Sequence, residues 1–261
     1  MQGLVPIVSN ELLTIGFSTL SDRINNIEPP RVSVPHKVFI SIQDPHNSTE
    51  PLPTNFKFDS VKSAELGVAK SRNTVLRSAE TKYLLFADDE IVFLDRGVKL
   101  AVAYLEEHPE CDMVLAQAID TTGALRKRYS KKKVQLTKFN SAKAATYEMI
   151  VRVDSIKSKN VYFDEKFGAG VSNYIGDEYI FITDLINKGG TAMFLPITIA
   201  IHPKDSSGSL WGTERDLLAR AQVFQRVFGT WAPIVRAGFY FKNYGKTNGL
   251  KNFKKFVRGK I

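Results

Sequence analysis

Tyr83-Leu84-Leu85-Phe86-Ala87-Asp88-Asp89-Glu90-Ile91-Val92-Phe93 is the stretch on which the reading of this chain turns. Its first apolar run, Tyr83 to Phe86, is too short for a helix of its own and has the length of a buried strand. That strand drives straight into three acids, which places Asp88, Asp89 and Glu90 at its carboxyl end. In open α/β sheets this is the edge where ligands bind. Three crowded carboxylates repel one another and are costly to desolvate, so a cation is their natural partner. Taken alone, the stretch fits a strand followed by a solvated acidic turn equally well. The flanking sequence decides.

Upstream, Leu12 to Phe17 and Lys37 to Ile42 read as two strands, the second closing on the turn residues Gln43-Asp44-Pro45. Asp59 is positioned to cap a helix over 60–78, which carries the polar set Lys70, Arg72 and Asn73. Downstream, Asp95 opens a helix to Glu107, with Val98, Ala101, Val102 and Leu105 on one face. Strands are expected at 112–118 and 147–153. A helix beginning near Gly176 carries Asp177 and Glu178 in its first turn, where the helix dipole favours carboxylates. Gly189 and Gly190 end it. Thr191 to Ile201 is a strand ending at His202-Pro203, and Thr213 caps a helix to Phe228. Strands alternating with helices predict an α/β fold with a mostly parallel sheet flanked by helices. The expected division is one domain over 1–210 and a basic helical extension over 211–261.

Composition narrows the function classes. With 261 residues, 43% of them apolar and 24% charged, the chain has the make-up of an ordinary soluble globular protein. The lone Cys111 cannot form an internal disulfide, no signal peptide is evident, and no apolar run has the length of a membrane span. A cytoplasmic protein is the expectation. The net charge of +9 is concentrated in Arg126 to Lys133 and in the stretch from Lys242 onward. Those two segments hold more cations than the whole net charge, so the remaining body is mildly acidic. That distribution argues against a surface built to grip nucleic acid. In the tail, Leu250, Phe253 and Val257 recur at helical spacing among lysines. This pattern suits peripheral attachment to the anionic inner face of a membrane, and equally a solvated or core-packed helix.

The order of these parts resembles a family 2 glycosyltransferase with the GT-A fold, over roughly Leu12 to His202. The resemblance rests on a first strand ending near Gly16 and a second ending in Asp44. It continues through Ala69-Lys70-Ser71-Arg72-Asn73, close to the family's Ala-Arg-Asn signature, and Asp88-Asp89-Glu90, similar to its metal-binding Asp-x-Asp. Phe163-Asp164-Glu165-Lys166-Phe167-Gly168, then Gly176-Asp177-Glu178, and a closing strand with Pro196 and His202 complete it.

The resemblance implies an inverting, metal-dependent enzyme that moves a sugar from a nucleotide-diphosphate donor to a glycan or lipid-linked acceptor. Surface polysaccharide biosynthesis is the implied setting. It assigns Mn²⁺ or Mg²⁺ to Asp88 and Glu90, with His202 as a candidate third ligand and Asp89 turned to the donor ribose or sugar. Asp44 is implied to accept from the nucleobase, with Thr14, Gly16, Arg72 and Asn73 near the nucleotide. Glu178 falls at the position of the catalytic base, with Asp177 beside it. Glutamate in place of the usual aspartate at position 90 changes the reach of that ligand, and Asp177-Glu178 reverses the family's chemical order. Two rivals are a sugar nucleotidyltransferase and a non-catalytic basic adaptor for anionic lipid or nucleic acid. The first needs a Gly-rich, Arg-bearing loop after its first strand, which Phe17-Ser18-Thr19-Leu20 does not supply. The second leaves both acidic clusters without a purpose.

Overall fold

The computed structural model describes residues 11–49, 51–203, 212–247 and 252–259. In chain order the elements begin with β1 (Leu13–Leu20), β2 (His36–Gln43), β3 (Asp59–Ser63), α1 (Val68–Ser78), β4 (Tyr83–Asp88) and β5 (Val92–Phe93). Then come α2 (Asp95–Glu107), β6 (Met113–Ile119), β7 (Val134–Gln135), β8 (Met149–Arg152) and α3 (Val153–Ser158). The last elements are α4 (Asp177–Asn187), β9 (Ala192–Ile201), α5 (Glu214–Phe228), α6 (Ala232–Lys242) and α7 (Phe253–Arg258). The strands form one sheet in the order β3-β2-β1-β4-β8-β6-β9-β5, with β7 also paired to β9. Strands β3, β2, β1 and β4 run parallel, as do β6 and β9. Strand β8 is antiparallel to both of its neighbours and joins the two parallel blocks.

Alternation along β4 shows why its sequence is apolar throughout. Tyr83, Leu85 and Ala87 enter the core beneath α2, while Leu84 and Phe86 enter the core beneath α1 and α4. A strand covered on both faces has no polar side. In register, Ser18 of β1 lies beside Ser41 of β2 and Asp88 of β4, so three strand ends share one edge of the sheet.

Two expected elements differ. The helix expected over 60–78 begins only at Val68, and Asp59–Ser63 is instead an edge strand on β2. Gly67, at φ 128°, makes the break, in a conformation that L side chains rarely adopt. The strand expected over 147–153 is shorter, because Thr146–Glu148 form a 3₁₀ turn ahead of β8.

Gly16 has a packing role. A Cβ there would sit 2.1 Å from Val75 Cγ1 and 3.0 Å from Leu84 Cδ1, so its hydrogen lets α1 lie close on the sheet. Gly16→Ala is expected to destabilise the fold by about 1–3 kcal/mol, the usual range for overpacking a tight core. A lowered urea midpoint at unchanged m-value checks this.

The C-terminal helices share a small core, while α5 also packs on α4 through Val223 and Val227. Leu217, Ala221, Tyr240 and Phe256 make a core joined by Phe224, Phe239 and Phe253. Of the alternatives the sequence leaves open for the tail, Phe253 takes the core-packed one, against Tyr240 with ring centroids 5.3 Å apart. Leu250 lies outside the described residues. Among the described residues, no helix is long and apolar enough to cross a membrane.

Candidate active site

The carboxyl edge of the sheet opens into a cavity of about 830 Å³. Its floor comes from Ser18 and Thr19 of β1, Gln43 of β2 and Asp88 at the end of β4. Asp89, Glu90 and His202 line it where β4 and β9 run out, and Asp177 and Glu178 enter from the first turn of α4. Arg126, Ala144, Ala145 and Tyr147 form a further wall.

Buried Arg72 organises the acids. It projects from α1 and pairs with Asp177, with Glu178 at 3.4 Å and with Asp88 at 3.3 Å. Burial alone would lower its pKa, yet the three carboxylates around it raise it, so it stays charged. The guanidinium thus sits beneath the cavity, bonded to protein carboxylates. Arg23 plays the matching part for the other acids, 2.9 Å from Asp89 and 2.8 Å from Glu90. Asp89 is buried and accepts from Thr19 Oγ1 at 2.8 Å. Burial pushes its pKa up against those two partners.

The pair on α4 is unequal. Asp177 is almost fully buried, and burial together with the neighbouring Glu178 charge raises its pKa to about 7. Glu178 is half-buried. Burial works to raise its pKa too, but Arg72, its own backbone N–H and Thr146 prevail and lower it. Thr146 Oγ1 donates to Glu178 Oε1 at 2.8 Å. At neutral pH, then, Glu178 is the ionised member and Asp177 holds the last proton. Gly176, at φ 91°, makes this turn possible by letting α5 approach: a Cβ there would lie 2.5 Å from Val223 Cγ2.

This inequality has a pH signature. Between about pH 4 and 7 native Asp177 retains a proton that the unfolded chain, at its ordinary value of 3.8, has released. The site's contribution to stability therefore falls as pH rises through that window. At roughly 1.4 kcal/mol per pH unit the ceiling is about 4 kcal/mol. Asp177→Asn removes the titration, so wild type should lose stability relative to this variant from pH 4 to 7. Parallel Tm profiles across that range would contradict the assignment.

The other residues singled out in the sequence lie elsewhere. Thr14 is buried, bonded to Thr81 Oγ1 at 2.7 Å, six residues before the end of β1. Asn73 fastens α1 to the loop at Phe163, accepting from its N–H at 2.8 Å and donating to its carbonyl at 3.0 Å. Asp44 is buried one residue past β2, where Oδ1 accepts from Ser21 Oγ at 3.0 Å and from the Ser48 N–H at 2.8 Å. Lys62 lies 2.9 Å from its other oxygen. The Ser48 N–H and Lys62 hold the Asp44 carboxyl below the usual range. None of these three, nor Gly16, lines the cavity. The residues that sequence reasoning missed are Thr19, Arg23, Gln43, Arg126, Thr146 and Tyr147. Of these only Arg126 carried a signal, as the first cation of the basic run.

A metal fits this edge only if it is shared with a ligand. Among the described residues, no three His, Cys, Asp or Glu side chains come together as a closed metal cage. Glu90, expected as a ligand, is turned to Arg23. Asp88 remains partly exposed on the cavity. The His202 ring stacks on Tyr147 with centroids 4.6 Å apart, and its Nδ1 lies 2.7 Å from the Pro203 carbonyl oxygen. A carbonyl only accepts, so Nδ1 carries a hydrogen, which in the neutral imidazole leaves the lone pair on Nε2. One or two protein ligands completed by phosphate oxygens is the usual way Mg²⁺-type cations are held.

No family model matches the chain, and no curated protein matches it by sequence. Solved structures do match in shape. S. aureus TarS 1-349 in complex with UDP-GlcNAc superposes with a TM-score of 0.61 at 16% identity, over 92% of this chain and 74% of that one. The same fragment in complex with UDP gives 0.58 at 17% identity, over 91% and 74%. A longer S. aureus TarS structure gives 0.57 at 15% identity, over 91% of this chain and 45% of that one. At such identities the likeness is one of fold: the chain has the GT-A fold.

Proposed function

We propose that the protein is an inverting glycosyltransferase that moves a sugar from a nucleotide-diphosphate donor to a hydroxyl of a glycan or lipid-linked acceptor. The observation that carries this reading is the unequal acid pair, Asp177 and Glu178, facing a strand-end cavity that Asp88 and Asp89 also line. The TarS structures support it, one in complex with the nucleotide sugar UDP-GlcNAc and one with UDP on the same fold.

In this reading the nucleotide lies over the ends of β1 and β2, and the diphosphate lies toward Asp88 and His202. Those two residues would hold Mn²⁺ or Mg²⁺, which when bound offsets the negative charge that grows on the departing diphosphate. Glu178, ionised at neutral pH, takes the proton of the acceptor hydroxyl as its oxygen bonds to the anomeric carbon. The bond from that carbon to the diphosphate oxygen breaks in the same step, and inversion follows from attack on the opposite face. Arg72 keeps Glu178 charged and Thr146 fixes one of its oxygens. Asp177, its pKa raised by burial and the neighbouring charge, leaves Glu178 as the more readily ionised base.

The test is release of nucleoside diphosphate from a panel of nucleotide sugars, with and without Mn²⁺. One donor should turn over above the enzyme-free control, and chelation should slow it. A panel that yields no nucleoside diphosphate, with or without candidate acceptors, would overturn the proposal.

A further inference from the structure

Helix α6 and the short turns at its two ends present a ridge of large apolar side chains outward. Trp231, Ile234, Phe241 and Tyr244 are 67%, 65%, 59% and 48% exposed. Ile234, Gly238 and Phe241 follow one another at helical spacing along one face, with Trp231 three residues before them. The opposite face, Ala232, Arg236 and Tyr240, is buried. Arg236 fixes the orientation, donating to the Ala221 carbonyl from Nε (3.1 Å) and Nη2 (2.6 Å), and to the Val257 carbonyl from Nη1 (3.1 Å). The ridge therefore cannot rotate inward without breaking the contacts that join α5, α6 and α7. Exposed apolar side chains scattered singly are ordinary, but a contiguous row of aromatic and aliphatic ones marks a binding face.

Charge identifies what that face meets. From Leu217 to Ile261 the sequence contains no acid, and Lys242, Lys254, Lys255 and Arg258 are exposed on α6 and α7. A second copy docked through the same face across a two-fold would bring cations onto cations. The partner has to be anionic and yet accept Trp and Phe side chains. A bilayer surface rich in anionic lipid meets both demands, because aromatic rings settle at the headgroup level while lysines face the lipid charge.

The geometry points to α6 as a membrane-docking face, with Trp231, Ile234 and Phe241 entering the headgroup region and the α6 and α7 cations bound to anionic lipid. This assignment stands apart from the proposed reaction. It is tested by co-sedimentation with vesicles of phosphatidylglycerol and phosphatidylcholine, against phosphatidylcholine alone. The protein should pellet with the anionic vesicles only, and its partition should fall about tenfold or more between low and high salt. The triple variant Trp231→Ser, Ile234→Ser, Phe241→Ser should lower partition about tenfold or more at unchanged Tm. As a second readout that does not depend on how the triple variant folds, a brominated lipid should quench tryptophan emission in wild type and much less in Trp231→Phe. Failure to pellet with anionic vesicles would overturn the inference, as would equal quenching in Trp231→Phe. So would a wild-type dimer that the triple variant dissociates, since a second copy would then occupy the ridge.

Discussion

Glu178→Gln is expected to lower kcat by about 10²- to 10⁴-fold, the range typical of losing a general base. The amide keeps the size of the side chain and still accepts from Thr146, but it cannot take the acceptor's proton. Donor KM should change little, because Asp88 and His202, which hold the donor end in the proposed reading, are untouched. The expectation follows from the inequality of the pair on α4: Glu178 is held ionised by Arg72, whereas Asp177 is raised to about 7. Asp177→Asn should cost less activity. If Asp177→Asn were the inactive variant and Glu178→Gln turned over normally, the roles of the two acids would be exchanged. Initial-rate measurements on the two purified variants decide this.

The second large effect is on stability. Arg72 is a buried cation whose charge answers Asp177, Glu178 and Asp88. Arg72→Met keeps much of the apolar stem and removes the charge, which leaves buried carboxylates without a partner. Losing one side of a buried ion pair costs about 3–5 kcal/mol, because the remaining charge is uncompensated. The sign of the pH dependence follows. In the variant the native carboxylates hold their protons to higher pH than in the unfolded chain, so the deficit grows as pH rises and shrinks in acid. Urea denaturation at pH 5 and pH 8 should show a larger gap from wild type at pH 8. A gap below 1 kcal/mol at both pH values would mean that Arg72 is not the electrostatic keystone of the site.

The sheet was legible in the sequence wherever a strand is apolar on both faces, as in β4 and β6. The acids at the end of β4, the pair opening α4 and the histidine ending β9 were also legible, since position at an element's end follows once the element is located. The first strand reads as Leu12 to Phe17 running out through Ser18 and Thr19; Ser18 stays in register with both β2 and β4, and Thr19 with β2. Thr14 and Gly16, implied by the resemblance, lie further up the strand, and Ser18 and Thr19 are the β1 residues that line the cavity. Asp44 and Asn73 hydrogen-bond to neighbouring loops, and a sequence does not distinguish a buried hydrogen-bonding group that serves the fold from one that serves a ligand. Arg23 was invisible for a different reason. Its pairing with Asp89 and Glu90 joins segments far apart in sequence, and no local pattern encodes it. In the tail, helical spacing located α7 but left membrane-facing and core-packed readings equally open; Phe253 and Phe256 join a small core with α5 and α6.

The central claim is that the strand-end cavity takes a nucleotide sugar, and titration calorimetry with uridine, guanosine and thymidine diphosphates in the presence of Mn²⁺ tests it most directly. One of the three is predicted to bind at a single site, and Asp88→Asn to weaken that binding about tenfold or more. Absence of binding by all three, or binding that Asp88→Asn leaves unchanged, would contradict the account.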